Sequence, residues 1–319
     1  MTKHPTLGGH ILDFANMPKP FKVYEELDLI PLPQDFSIPN LDARSALQEI
    51  ETKSKSVEIN ARTIAEILFF SAGLTRVLKY PHGTFYMRAA PATGALYPIE
   101  LYLVCQSLPG LEAGVYHFNP LEFALTRLRE GDYRNELAHF SGENESIRKA
   151  PATLAMTSFA WRNSWKYQGR SYRHWFWDAG VIIANLLATF ASIDLTTEII
   201  TGFNDAMVDQ LLCLHEKAEA TVALVPLGIG LSQPLETGLT DISRRNLKVL
   251  PLSNEEVQYP EIWEMNEASS LGSMEEVQAW LKSVGSFDTE PQKQSTKSIQ
   301  LRPNLKTAHG PSLSEVILQ

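Results

Sequence analysis

Residues 88–104 read Arg-Ala-Ala-Pro-Ala-Thr-Gly-Ala-Leu-Tyr-Pro-Ile-Glu-Leu-Tyr-Leu-Val, and the fold assignment turns on them. From Ile99 to Cys105 the residues alternate, Ile99, Leu101 and Leu103 against Glu100, Tyr102 and Val104. That period of two, rich in β-branched and aromatic side chains, predicts a strand. Before it, Ala89 to Pro98 is a loop of small uncharged residues stiffened by Pro91 and Pro98, with Gly94 at its centre. Small side chains and a glycine let a flat ligand approach the backbone and bond to its N–H and C=O groups. The same residues also suit a tight turn feeding a core strand.

Working outward, Asn60 is placed to cap a helix over Ala61 to Ala72, with Ile64, Ile67 and Leu68 on one face and Gly73 as its stop. Gly114 to Phe118 and Phe123 to Leu128 read as a hairpin, and Leu154 to Ser158 as a strand. Ser171 to Ser192 places Ala179, Ile183, Leu186, Leu187 and Phe190 at helical spacing. Apolar residues also lie outside that stripe, which predicts a long helix buried nearly all round. A strand over Leu195 to Thr201, a helix over Asp205 to Cys213 and a strand over Ala220 to Leu227 complete the reading. Strands and helices mix without regular βαβ alternation, so the expected class is α+β.

A chain of 319 residues can bury a sizeable core, and 44% hydrophobic with 20% charged residues is ordinary for a globular protein. The net charge of −9 argues against a nucleic-acid partner, whose phosphates call for clustered Lys and Arg. No uninterrupted apolar run approaches the roughly 20 residues of a membrane span, so no membrane partner is expected. Cys105 and Cys213 lie in apolar segments, which suits a reducing, cytoplasmic setting, and no metal-ligand spacing is present. Residues 1–50 read as a proline-rich arm, 51–235 as the catalytic-type domain and 236–319 as a linker. Ser312 to Gln319 looks like a helix just beginning, with Ser312 and Glu315 as a capping box. A short docking helix at a C-terminus would look the same.

The segment Pro91-Ala92-Thr93-Gly94-Ala95-Leu96-Tyr97-Pro98-Ile99-Glu100 resembles the P-S-x-G-A-L-Y-P-x-E segment of SagB-type dehydrogenases, a branch of the FMN-dependent nitroreductase family. Trp161-Arg162 to Lys166-Tyr167, Tyr172-Arg173 to Asp178-Ala179-Gly180, Gly202-Phe203-Asn204-Asp205 and Ala223 to Gly228 follow in the family's order. The resemblance implies a nitroreductase-like fold: a mixed or antiparallel sheet flanked by helices, around a long central helix buried between two copies. It implies FMN as cofactor, and as partners a second nitroreductase domain or a homodimer mate and a small-molecule or peptide substrate. Since a second domain opens in the same way in tandem members, it also implies the first half of a tandem protein, with 236–319 as linker and start of the missing second domain. Members often dehydrogenate azoline rings in ribosomally made peptides.

For the site, the resemblance implies a ring cradle made by Pro91, Ala92, Thr93 and Gly94, helped by Gly202 and Phe203. Lys166 and Tyr167 match a Lys-Tyr pair that SagB-type enzymes use in catalysis, where either can serve as acid or base. A surface lysine beside a packing tyrosine is the plain alternative for that pair. Where typical members carry Arg-Arg-Ser-x-Arg for the phosphate, this chain has Thr52-Lys53-Ser54-Lys55-Ser56. Lys53 and Lys55 can neutralise a phosphate without arginine's bidentate fork. Two readings stay open: an FMN-dependent oxidoreductase, or a flavin-poor pseudo-subunit or peptide-binding half that supports an active second domain.

Overall fold

The strand over Ile99–Cys105 is the one on which the sheet is built. It was traced in a computed structural model of the chain, which describes residues 11–36, 57–81, 83–235 and 238–285. In chain order the elements begin with β1 (Leu29–Pro31), α1 (Ala61–Ala72), β2 (Leu74–Tyr80), β3 (Gly83–Arg88), β4 (Ile99–Cys105), β5 (Gly114–Asn119) and β6 (Ala124–Glu130). They continue with α2 (Arg134–Phe140), α3 (Glu145–Arg148), β7 (Ala152–Phe159), α4 (Ala160–Tyr167), α5 (Tyr172–Ser192), α6 (Asp205–Leu211), β8 (Glu219–Leu227), α7 (Pro260–Ser269) and α8 (Met274–Gly285). Six strands form one sheet in the order β1-β6-β5-β4-β7-β8, and β2-β3 stands apart as a hairpin. Every pairing in the large sheet is antiparallel.

All seven residues of β4 are buried. Its alternation therefore sorts side chains between two cores rather than between core and water. Ile99, Leu101, Leu103 and Cys105 join the core that includes α1 and α5 residues, while Tyr102 and Val104 join the core on the α2 and α6 side. Helix α1 starts where Asn60 Oδ1 accepts the Thr63 N–H at 3.0 Å and ends at Gly73, whose N–H reaches Phe69 O at 2.9 Å. A Cβ on Gly73 would stand 2.6 Å from that same carbonyl oxygen, so glycine is required there.

Two expectations are corrected. Helix α5 is buried on one side only: Trp175, Asp178, Ala179, Ile182, Leu186 and Phe190 face inward, whereas Phe176 and Trp177 are about half exposed, at 49% and 56%. Its apolar residues run all round, but the sheet and α1 cover just one face. The segment 195–201 is no strand; it meets β8 at a single bridge, Ile200 to Leu224, because its remaining backbone follows the end of β8 through turns. The helical stretch Ala160–Ser192 passes a length-and-composition test for a membrane span, as the core helix of a globular protein also does. Its inner face is occupied by the protein core.

Segments outside the central domain also pack here. Strand β1 pairs with β6, and Leu252, Ile262 and Trp263 are buried. The Trp161 indole donates to Ser253 Oγ at 2.8 Å, and that of Trp165 to Asp13 O at 3.0 Å. Lys22, fully buried, lies 2.7 Å from Glu219 and donates to the Tyr102 hydroxyl at 2.7 Å. Burial opposes its charge, but the Glu219 carboxylate outweighs burial and raises the Lys22 pKa.

Candidate functional site

The loop ahead of β4 is held in an unusual backbone conformation. Gly94, Ala95 and Tyr97 all have positive φ, at 67°, 55° and 50°. For Ala95 and Tyr97, which carry side chains, such angles cost of order 1 kcal/mol or more each, and segments like this persist only where their surroundings fix them. Helix α5 does the fixing. Asp178, buried on its inner face, accepts the Thr93 N–H at 2.9 Å and the Thr93 hydroxyl at 2.7 Å, both on Oδ1. Its other oxygen faces Asn163 Nδ2 at 3.4 Å. Pro91 and Ala92 line a small cavity with Arg88, Ala90, Tyr97 and Asp178.

Lys166 and Tyr167 close the last turn of α4, beside this loop. A Cβ on Gly94 would stand 2.7 Å from the Tyr167 hydroxyl, so the tyrosine touches the loop through the space a side chain would fill. The Lys166 ammonium lies 5.4 Å from the centre of the Tyr167 ring. On the other side the ring meets His174 edge-on, with centroids 4.6 Å apart. His174 is buried, and its Nδ1 has no hydrogen-bond partner in the structure; burial lowers its pKa, against the pull of Asp178. Gln168, directly after Tyr167, also has positive φ, at 53°. The structure therefore gathers Pro91, Ala92, Thr93, Gly94, Lys166 and Tyr167 into one place.

Gly202 and Phe203 are not brought to it. Strands β7 and β8 stand between β4, which follows the loop, and the bridge at Ile200 that leads into Gly202. Phe203 is buried in the core that holds Tyr102 and Val104. A Cβ on Gly202 would lie 2.3 Å from the six-membered ring of Trp280, on α8. In one chain the Pro91–Gly94 loop and Gly202 thus stand apart, and at each glycine an aromatic side chain, Tyr167 or Trp280, takes the space a Cβ would fill. Within one chain the two glycines therefore do not frame a single flat ring. Lys53 and Lys55 lie outside the described residues, as does the Ser312–Gln319 segment.

Below the loop sits a pair of buried arginines. Arg162 donates to Tyr97 O at 2.8 Å and pairs with Glu100, which also meets His117 Nε2 at 2.7 Å. Burial would raise the Glu100 pKa, but Arg162 and His117 overcome it and hold the carboxyl at about 2. Burial lowers Arg88 to about 10, and its guanidinium donates to Pro20 O at 2.7 Å. Arg162 thus serves Glu100 and lies 5.7 Å from the centre of the Phe159 ring, while Asp178 holds Thr93. Asp178 and His174 were legible only as polar residues on the inner stripe of an apolar helix, between Trp175, Ala179 and Ile182. Trp280 gave no local signal, because the contact joins positions 78 residues apart.

The nitroreductase family model matches residues 57–229, and the chain belongs to the nitroreductase family. Over 200 residues it is 24% identical to the nitroreductase-family protein MJ1384 of Methanocaldococcus jannaschii, covering 61% of this chain and 96% of that one. It is 26% identical to the microcin B17-processing protein McbC of Escherichia coli over 51% of this chain and 60% of McbC. It is 28% identical to the trifolitoxin-processing protein TfxB of Rhizobium leguminosarum bv. trifolii over 52% of this chain and 46% of TfxB. Among solved structures, a nitroreductase-family protein of Anabaena variabilis superposes with a TM-score of 0.63 at 25% identity, over 84% of this chain and 52% of that one. The chain thus spans about half the length of TfxB and of the Anabaena protein.

Proposed function

We propose that this nitroreductase-family oxidoreductase is of the SagB type and modifies peptides by dehydrogenation, azoline rings being the substrate class, with Lys166 and Tyr167 as its proton-transfer pair. The observation that carries the reading is the meeting of Tyr167 with Gly94, in a strained loop pinned to Asp178. Two of the relatives, McbC and TfxB, are named for processing peptide products, which supports the substrate class. FMN, which the family typically holds, would supply the two-electron chemistry. A second nitroreductase domain or a second copy of this chain would complete the cofactor site, because one chain leaves it half built. The exposed outer face of α5, with Phe176, Trp177, Ala184 and Leu187, is the surface proposed for that partner. The chain's own part is to take or give a proton at the ring carbon through the Tyr167 oxygen, beside the Lys166 ammonium.

The test is a thiazoline-bearing peptide incubated with FMN and the chain paired with its second domain. Mass spectrometry should show two hydrogens lost per ring, and Tyr167→Phe should slow this about 10²-fold. Absence of conversion by a paired, flavin-loaded protein on such peptides would refute the dehydrogenase reading. The filled face of Gly202 favours a second reading, in which this half supports a flavin held mainly by the other domain.

A further inference from the structure

The C-terminal helices are seated on the domain unequally. Helix α7 is anchored by Ile262 and Trp263, with the Trp263 and Trp175 rings 5.6 Å apart. The turn after it is latched to the start of α6. Leu271 N–H donates to Asp205 Oδ2 at 2.8 Å, Asp205 N–H to Leu271 O at 3.1 Å, and Asn204 Nδ2 to Gly272 O at 3.1 Å. Helix α8 beyond that latch is lightly held. Val277 is its one buried residue among those whose side chains are described. The rest of its seat is two glycines: Leu281 where a Cβ on Gly142 would stand, 2.5 Å away, and Trp280 where a Cβ on Gly202 would stand. One side-chain hydrogen bond, Gln278 Nε2 to Gly142 O at 2.9 Å, is added.

Trp280 therefore does to Gly202 what a planar ligand would do: it brings a flat aromatic ring against a backbone that carries no side chain. Two rings cannot share that face. We propose that α8 is a built-in competitor for the planar ligand of Gly202, with Trp280 filling the face and the Leu271–Gly272 latch serving as the pivot on which the helix leaves. This rests on the reading of Gly202 as part of a flavin cradle. A ligand that binds only the opened state has its affinity reduced by the fraction open, so an open population of about 1–10% weakens binding about 10- to 100-fold.

The experiment titrates FMN into the full chain paired with a second nitroreductase domain or a second copy, as wild type, Trp280→Ala and Leu281→Ala. Leu281→Ala frees the helix at Gly142 without touching the Gly202 face, so it separates release of α8 from loss of the indole. Both variants should bind FMN about 10- to 100-fold more tightly, and FMN should speed hydrogen exchange of residues 274–284 in the wild type. Equal affinity in all three proteins, with that exchange unchanged by FMN, would overturn the competitor while leaving the flavin reading intact. If exchange shows α8 released in the variants and none of the three proteins binds FMN, the flavin reading falls and the competitor falls with it.

Discussion

Replacing Asp178 by alanine should destabilise the protein and unpin the loop ahead of β4. The carboxylate accepts two bonds from Thr93, at 2.9 and 2.7 Å, on one oxygen. Net contributions of hydrogen bonds to charged groups run about 1.5–3 kcal/mol, and two sharing an oxygen fall short of additive, so about 3 kcal/mol is at stake. Alanine is the better helix former by about half a kcal/mol, which trims the loss slightly. For a domain of this size about 3 kcal/mol corresponds to a fall in Tm of roughly 6–12 °C. Asp178→Asn retains an acceptor oxygen and should lose only about 1 kcal/mol. Thr93→Val should lose about 1 kcal/mol through its hydroxyl, with strong coupling to Asp178→Ala in a double-mutant cycle. Urea titrations measure these differences, and amide exchange over residues 93–97 reports the loop. If Asp178→Ala unfolds within about 0.5 kcal/mol of wild type with loop exchange unaltered, the pin is not what holds Gly94, Ala95 and Tyr97 in their conformation.

Four further outcomes follow from the same geometry. Lys166→Ala and Tyr167→Phe should each lower turnover about 10²-fold while flavin content in the paired protein, read from its absorbance, stays unchanged. Glu100 titrates at about 2 in the fold against an ordinary 4.5, so the stability it contributes is present above pH 4.5 and lost as pH falls toward 2; Glu100→Gln should flatten that part of the urea-stability profile. Asp209 runs the other way: burial lifts it to about 7 from 3.8, so its charge costs stability increasingly from pH 4 to 7, and Asp209→Asn should be the more stable protein at pH 8, by about 2 kcal/mol. The exposed apolar face of α5 should drive self-association at micromolar concentration, and Leu187→Glu should yield a monomer in sedimentation.

What could be read from the sequence was local in origin. The cap at Asn60, the stop at Gly73 and the alternation of Ile99–Cys105 depend on neighbours within a few residues, and each stands in the structure where it was expected. Helix α5 was legible in extent, but not in how much of it one chain covers, since hydrophobicity alone does not say who supplies the other side. The segment 195–201 has the composition of a strand yet finds only one ladder partner on β8. In the site, the loop and the Lys166–Tyr167 pair were recognisable as motifs, and the structure sets them side by side. Their supports were not legible. Asp178 on Thr93 and Trp280 on Gly202 join residues 85 and 78 positions apart, and no local pattern encodes such meetings. The glycines show the same limit. At Gly94 and Gly202 an aromatic side chain of the chain itself takes the space a Cβ would fill, and a sequence does not separate that from a need for ligand approach.

The proposal that this chain presents one wall of a flavin site, closed by a second nitroreductase domain or a second copy, is tested most directly by FMN affinity measured alone and paired. Fluorescence titration of the isolated chain under monomeric conditions should show weak binding, lost on dilution, and pairing with a nitroreductase domain or with a second copy at dimer-forming concentration should tighten it by at least about tenfold. Stoichiometric FMN held with submicromolar affinity by an isolated monomer would contradict the account.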